Sequence, residues 1–211
     1  NQDISNWDTS NVFNMAYMFY WATSFDQPIG NWNTSNANNM SGMFFEAKQF
    51  NQPLNNWNVS NVHSMWNMFH WATSFNQPLN NWNTGNVKDM SWMFTDAISF
   101  NHPIWNWDTS NVTDMSNMFY AASRLNVLDI GYWDTSNVTD MSGMFYAASR
   151  LRVLDIGIWN TSKVTDMSSM FYGCFSLTKL DVNNWDTINV INMSKMFWGA
   201  RRLTYLDVGN W

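Results

Sequence analysis

Four aspartates recur in one phase of the chain, at Asp129, Asp155, Asp181 and Asp207. Carboxylates are hard oxygen ligands, so such a row is a candidate Ca²⁺ site, although a shell of about six to eight oxygens would need a second carboxylate column that the sequence does not place. Screening by water is the competing reading of the row. Other reactive side chains are scattered. His63, His70 and His102 sit in different phases with no Cys, His or carboxylate at ligand spacing. Cys174, the single cysteine, occupies a slot filled elsewhere by Ala22, Ala47, Ala72, Ala97, Ala122, Ala148 and Ala200, which reads as a buried spacer rather than a reactive thiol. There is no glycine-rich phosphate loop and no nucleophile elbow. The expectation is a chain with no catalytic residues, no cofactor and no metal beyond that one candidate row, hence not an enzyme.

Two further columns could make contacts. One follows each Met-Phe pair and reads Tyr20, Phe45, His70, Thr95, Tyr120, Tyr146, Tyr172 and Trp198. On a helix this position points about 140° away from the buried face, which makes an exposed aromatic stripe. Packing between neighbouring outer helices and a partner, glycan or self-assembly surface are both open readings; the candidate interaction residues are Tyr20, Phe45, Tyr120, Tyr146, Tyr172 and Trp198. The second set is seven N-x-[ST] sequons at Asn33, Asn39, Asn58, Asn111, Asn137, Asn160 and Asn192. Most arise from the polar text of the repeat itself and become sugar sites only where a glycosylation pathway meets the chain.

These columns exist because the chain is a tandem repeat. Tryptophan recurs at Trp7, Trp32, Trp57, Trp82, Trp107, Trp133, Trp159, Trp185 and Trp211, spaced 25 residues four times and then 26 four times. A second marker, Met-x-x-Met-Phe, keeps the same phase from Met15 to Phe197 and uses all 16 methionines. The whole chain, 1–211, therefore reads as one solenoid, with 25-residue units to about residue 124 and 26-residue units from about residue 125. After each Trp comes polar text such as Thr109-Ser110-Asn111, and then apolar residues at Val112, Met115, Met118, Phe119 and Ala122. Cap-forming residues feeding a spacing near 3.6 predict a helix in every unit, with Asp89, Asp114, Asp140 and Asp166 in its first turn.

The other half of the unit reads L-x-x-L-D-[IV] in the later units, over 125–130, 151–156, 177–182 and 203–208, and predicts a short parallel strand. In the earlier units Pro28, Pro53, Pro78 and Pro103 stand in register. Proline cannot donate to a ladder, so any strand there must be very short or irregular. The predicted class is α/β: a curved leucine-rich-repeat-like solenoid of about eight strand–loop–helix coils, short parallel strands on the concave side and helices on the convex side. Strands stack at about 4.8 Å and helices at about 8–10 Å, which is the expected source of the curvature.

Composition excludes several function classes. Net charge is −6, and only 12% of residues are charged. A nucleic-acid partner requires a basic stripe, and none is visible. No run of about 18 apolar residues is present to span a bilayer.

The unit from Leu151 to Phe171, with its W-[DN]-T-S-x-V-x-x-M-x-x-M-F spacing, resembles the 26-residue repeat of BspA-like bacterial surface proteins, within the leucine-rich-repeat superfamily. The resemblance extends over essentially the whole chain. It implies a non-enzymatic scaffold, secreted or at the cell surface, that mediates adhesion or binds other proteins or surface glycans. Ordinary leucine-rich repeats carry an Asn after the strand that ties neighbouring coils; here the Trp stands there, and the polar tie is expected one place on, at Asp108, Asp134, Asn160 and Asp186. Both ends fall inside a unit, which suggests a window on a longer array. End-to-end self-association into a filament or surface layer is the alternative function. The threonine column from Thr9 to Thr187 could face ice, but helix capping explains it more simply.

Overall fold

The computed structural model describes residues 2–211, and it corrects the predicted class at one central point: among the described residues no helix forms. In a helix the amide of Phe44 would return to the carbonyl of Met40. Instead it donates to Met68 of the next coil at 2.9 Å, as Met40 does to Ser64, Gly42 to Trp66 and Glu46 to His70. The intervening amides close tight turns, Met43 to Met40, Phe45 to Gly42 and Ala47 to Phe44. The run is a ladder of turns whose amides alternate between their own coil and the next.

Spacing explains why the ladder replaces the helix. Helices stand about 8–10 Å apart, whereas hydrogen-bonded backbones stand about 4.8 Å apart. The rings of successive coils sit closer than helices permit. Phe44 and Phe69 stack at 5.4 Å between centroids, and Trp107 and Trp133 at 6.3 Å. A thick convex layer is absent, and with it the expected cause of curvature. The turns require left-handed backbone twice per coil, four residues apart. Gly42, Gly143, Gly173 and Gly199 supply part of this, but twelve non-glycine residues, including Tyr17, Asn67, Trp92, Asn117, Ala121 and Ala147, also have φ between 52° and 61°. Each such residue costs roughly 1–2 kcal/mol, which the intercoil hydrogen bonds and apolar burial must offset.

The apolar spacing expected of a helix face still finds the core. Met40, Met43, Phe44, Ala47 and Phe50, and their counterparts in the following coils as far as Leu177, are buried, with Cys174 in the alanine slot; in the last coil Met193, Phe197, Ala200 and Leu203 are only half-buried. Single parallel bridges join Asn14, Asn39, Ser64, Asp89, Asp114, Asp140, Asp166 and Asn192 in sequence, so the aspartates expected in a helical first turn stand in this row instead.

The intercoil tie is the tryptophan itself. The indole N–H of Trp57 donates to the Ile29 carbonyl at 3.1 Å, and those of Trp82, Trp107, Trp133, Trp159, Trp185 and Trp211 repeat the bond one coil back. The tie expected at Asp108, Asp134, Asn160 and Asp186 is not made there. Their side-chain oxygens accept the backbone amide two residues on, closing local turns. The threonine column caps no helix either: the hydroxyls of Thr34, Thr84, Thr109, Thr135 and Thr161 donate to carbonyls of the next coil.

Short strands do form in the later units: β1 (Val127–Leu128), β2 (Val153–Leu154), β3 (Lys179–Asp181) and β4 (Tyr205–Asp207). β1 pairs with β2 and β3 with β4, both in parallel. In the proline units a side-chain ladder replaces them. Asn51, Asn76 and Asn101 donate their backbone amides to the side-chain oxygens of Asp26, Asn51 and Asn76, one coil earlier, at 2.9–3.0 Å. The ladder hands over to backbone pairing where Arg152 donates to the Asn126 carbonyl.

Candidate interaction surface

The turn ladder sets the residue after each Met-Phe pair at the same place on successive coils, and the rings there stack on one another. Tyr20 meets Phe45 at 4.6 Å between centroids, and Phe45 meets His70 at 4.7 Å. Tyr120, Tyr146 and Tyr172 follow at 4.3 Å steps with planes within 4° of parallel, and Trp198 closes the row at 4.5 Å from Tyr172. The column lacks a ring at Thr95, which is buried and donates its hydroxyl to the Asn117 carbonyl. Trp92, three residues earlier on that coil, fills the gap at 5.8 Å from His70 and 6.2 Å from Tyr120. Eight rings from eight coils thus make one unbroken ladder. The signal that could have found Trp92 is an aromatic displaced by one turn in the one unit that lacks its own.

None of these rings belongs to the buried core; Tyr20 and Trp198 are exposed and the rest are half-buried. The exposure expected from helical geometry is therefore partial and has a different cause, the alternation of the turns. Trp21 and Trp71 widen the surface, lying 6.2 Å from Tyr20 and Phe45 respectively, and both are exposed. Sequence reasoning missed them because their column is otherwise Glu, Asp, Ala and Gly.

The ladder is almost uncharged. Burial pushes the His70 imidazole down to about 4, so it is neutral near pH 7, with Nδ1 at 2.6 Å from the Asn67 side-chain oxygen. Partial loss of water around Tyr172, and then the Tyr146 hydroxyl beside it, raises that phenol above its usual range.

The other candidates do not assemble into a site. Asp129, Asp155, Asp181 and Asp207 lie along the strand side as expected, but no three His, Cys, Asp or Glu side chains among the described residues converge as a metal site would need. Asp181 and Asp207 instead accept the amides of Asn183 and Gly209. His63, His70 and His102 stay apart, and His102 joins the asparagine ladder through the Asn76 carbonyl. Cys174 is buried, its thiol bonded to the Phe145 carbonyl and pushed up to about 12 by loss of water.

The sequons divide by geometry. Asn111, Asn137 and Asn192 commit their amide nitrogens to Gly85, Ser110 and Asp166 of the preceding coil. Asn33, Asn39, Asn58 and Asn160 use only their side-chain oxygens, in turns.

These ladders define a tandem-repeat solenoid with a ring-stacked flank. The chain belongs to the family described as Mycoplasma protein of unknown function, DUF285, which matches it over residues 1–76, 52–152 and 123–211. No curated protein matches it. Similar solved structures include leucine-rich-repeat proteins. In the TLR13–ssRNA13 complex the likeness has 14% identity and a TM-score of 0.46, covering 83% of this chain and 24% of that one. An internalin, InlF, of Listeria monocytogenes is 12% identical with a TM-score of 0.27, over 86% of this chain and 78% of its own. The Toll–Spätzle complex of Drosophila gives 13% and 0.29, over 86% and 34%. This chain spans about a quarter of the first of these, and the architecture described above rests on its own hydrogen-bond ladders.

Proposed function

We propose that the chain is a non-enzymatic repeat scaffold, displayed outside the cell or on its surface, whose aromatic ladder is the contact face for a protein partner. The observation that carries this reading is the continuity of the ladder. Eight rings run the length of the solenoid outside the core, and a displaced tryptophan keeps the row unbroken where its own column fails. Aromatic residues are the side chains most enriched at the buried centres of protein interfaces. A protein partner fits better than a glycan, because sugars stack on ring faces, and here the faces are covered by neighbouring rings while the edges remain. Adhesion and surface display are supported by the BspA-like repeat text of Leu151 to Phe171.

The test is surface plasmon resonance against an immobilised panel of secreted and cell-surface proteins. A panel member that binds the unaltered chain should lose at least about tenfold in affinity to a Tyr120→Asp, Tyr146→Asp variant, equivalent to about 1.4 kcal/mol. An Asn56→Asp control, exposed and off the ladder, should bind as before. Failure of every panel member to bind, or equal binding to the ladder variant, contradicts the reading. Because the tyrosines stack on one another, the variant's melting temperature is measured alongside.

A further inference from the structure

A hollow of about 540 Å³ opens across five successive coils, from Asn76 to Ser176, and none of the ladder rings lines it. Three of the chain's five arginines, Arg124, Arg150 and Arg152, line it, and no carboxylate does. Lys48 pairs with Glu46, Lys163 bonds Asn137, Lys179 lies over Tyr205 and Arg201 over Phe175. Arg124, Arg150 and Arg152 are exposed, and among the described residues they engage no counter-ion and no ring. The neutral lining strengthens the bias. Asn76 and Asn101 accept the backbone amides of Asn101 and Asn126 on their side-chain oxygens, and their NH₂ groups add donors to the lining. The hollow is rich in donors, and a ligand suited to it accepts hydrogen bonds and carries negative charge.

A second hollow of about 400 Å³ shares Arg152 and continues over Val153, Leu154 and Ile158, but Asp155 and Asp181 also line it, with Lys179, so it suits an apolar side chain and not a further carboxylate. Val153 and Ile158 are exposed apolar side chains at its edge. Going beyond the ladder, we propose that the two hollows together bind an acidic peptide segment of a protein partner: two or more carboxylates against Arg124, Arg150 and Arg152, with an adjoining apolar side chain on Val153 and Ile158. The first hollow runs across five coils, roughly 19 Å at about 4.8 Å per step, enough for about six extended residues. A long polyanion, charged along its whole length, fits less well, because Asp155 and Asp181 line the second hollow and the net charge of the chain is −6, whereas the peptide keeps its carboxylates in the first.

The test is fluorescence anisotropy at low salt with a labelled hexapeptide bearing three glutamates and a leucine. Saturable binding is expected, weakened at least about tenfold by Arg150→Gln with Arg152→Gln, weakened by added salt, and unchanged by Lys88→Gln. Replacing the peptide's glutamates by glutamines should abolish it. No saturable binding, or equal binding to the double arginine variant, overturns the proposal; tighter binding of a heparin-derived hexasaccharide or a single-stranded RNA overturns the choice of occupant. The Tyr120→Asp, Tyr146→Asp variant should keep the peptide, so that this proposal and the ladder reading fail separately.

Discussion

The indole N–H of Trp159 donates to the carbonyl oxygen of Ile130, 29 residues earlier, at 3.0 Å, and its ring stacks on that of Trp185 at 6.3 Å. The column is at once core and intercoil tie. Trp159→Phe keeps an aromatic ring but removes one of the two donors to the Ile130 carbonyl, which still accepts the Trp133 amide, and should cost about 0.5–1.5 kcal/mol in urea unfolding, beyond the lost ring area. Trp7→Phe, at a half-exposed position whose indole makes no such bond among the described residues, should fall within about 0.5 kcal/mol of the unaltered chain.

Left-handed turns reverse the usual ranking of alanine and glycine. Ala147 holds φ at 53°, so Ala147→Gly should stabilise by about 1 kcal/mol. Gly143, at φ 59°, has the Asn117 side chain directly against the place a Cβ would occupy, so Gly143→Ala should destabilise by at least about 1 kcal/mol. Equal and opposite substitutions in a helix would give the opposite signs.

Acid should loosen the ladder at His70. Its folded value, about 4, lies below the ordinary 6.5, so between these the unfolded chain takes up a proton that the folded chain excludes. This contribution is complete above about pH 6.5 and is lost as the pH falls toward 4. His70→Phe should remove it: the difference in unfolding free energy between variant and parent should shift in the variant's favour across that window and stay flat above it.

Cys174 should resist iodoacetamide at pH 8 in the native state and react fully in urea, because its thiol is buried and held well above its ordinary range. Mass spectrometry of the labelled chain reads this directly.

The repeat, its phase, the buried columns and the later strands were legible in the sequence because burial depends on side-chain type and spacing. Met115, Met118, Phe119 and Ala122 are buried as predicted. The backbone that carries them was not legible. Spacing of three and four residues suits both a helix face and a turn ladder, and what separates them is whether each amide bonds within its coil or to the next. The polar residues of the run, such as Ser116 and Asn117, were a usable clue, since they are poor in helix interiors and Asn tolerates φ above zero. The Trp tie was hidden for a similar reason: an indole was read as core alone, although its N–H needs an acceptor when buried. The stripe from Tyr20 to Trp198 was visible as a column, but its continuity through Trp92 depends on three-dimensional placement.

Everything assigned to the flank depends on the turn ladder that stacks Tyr120, Tyr146 and Tyr172. The most direct test is backbone NMR of Ala121 and Ala147, using Cα and C′ shifts and the coupling between the amide and α protons. Left-handed values at both residues, each with φ of 53°, together with nuclear Overhauser contacts between the Tyr146 and Tyr172 rings at their 4.3 Å spacing, are expected. Right-handed helical shifts running unbroken from Met141 to Ala148 would contradict the account.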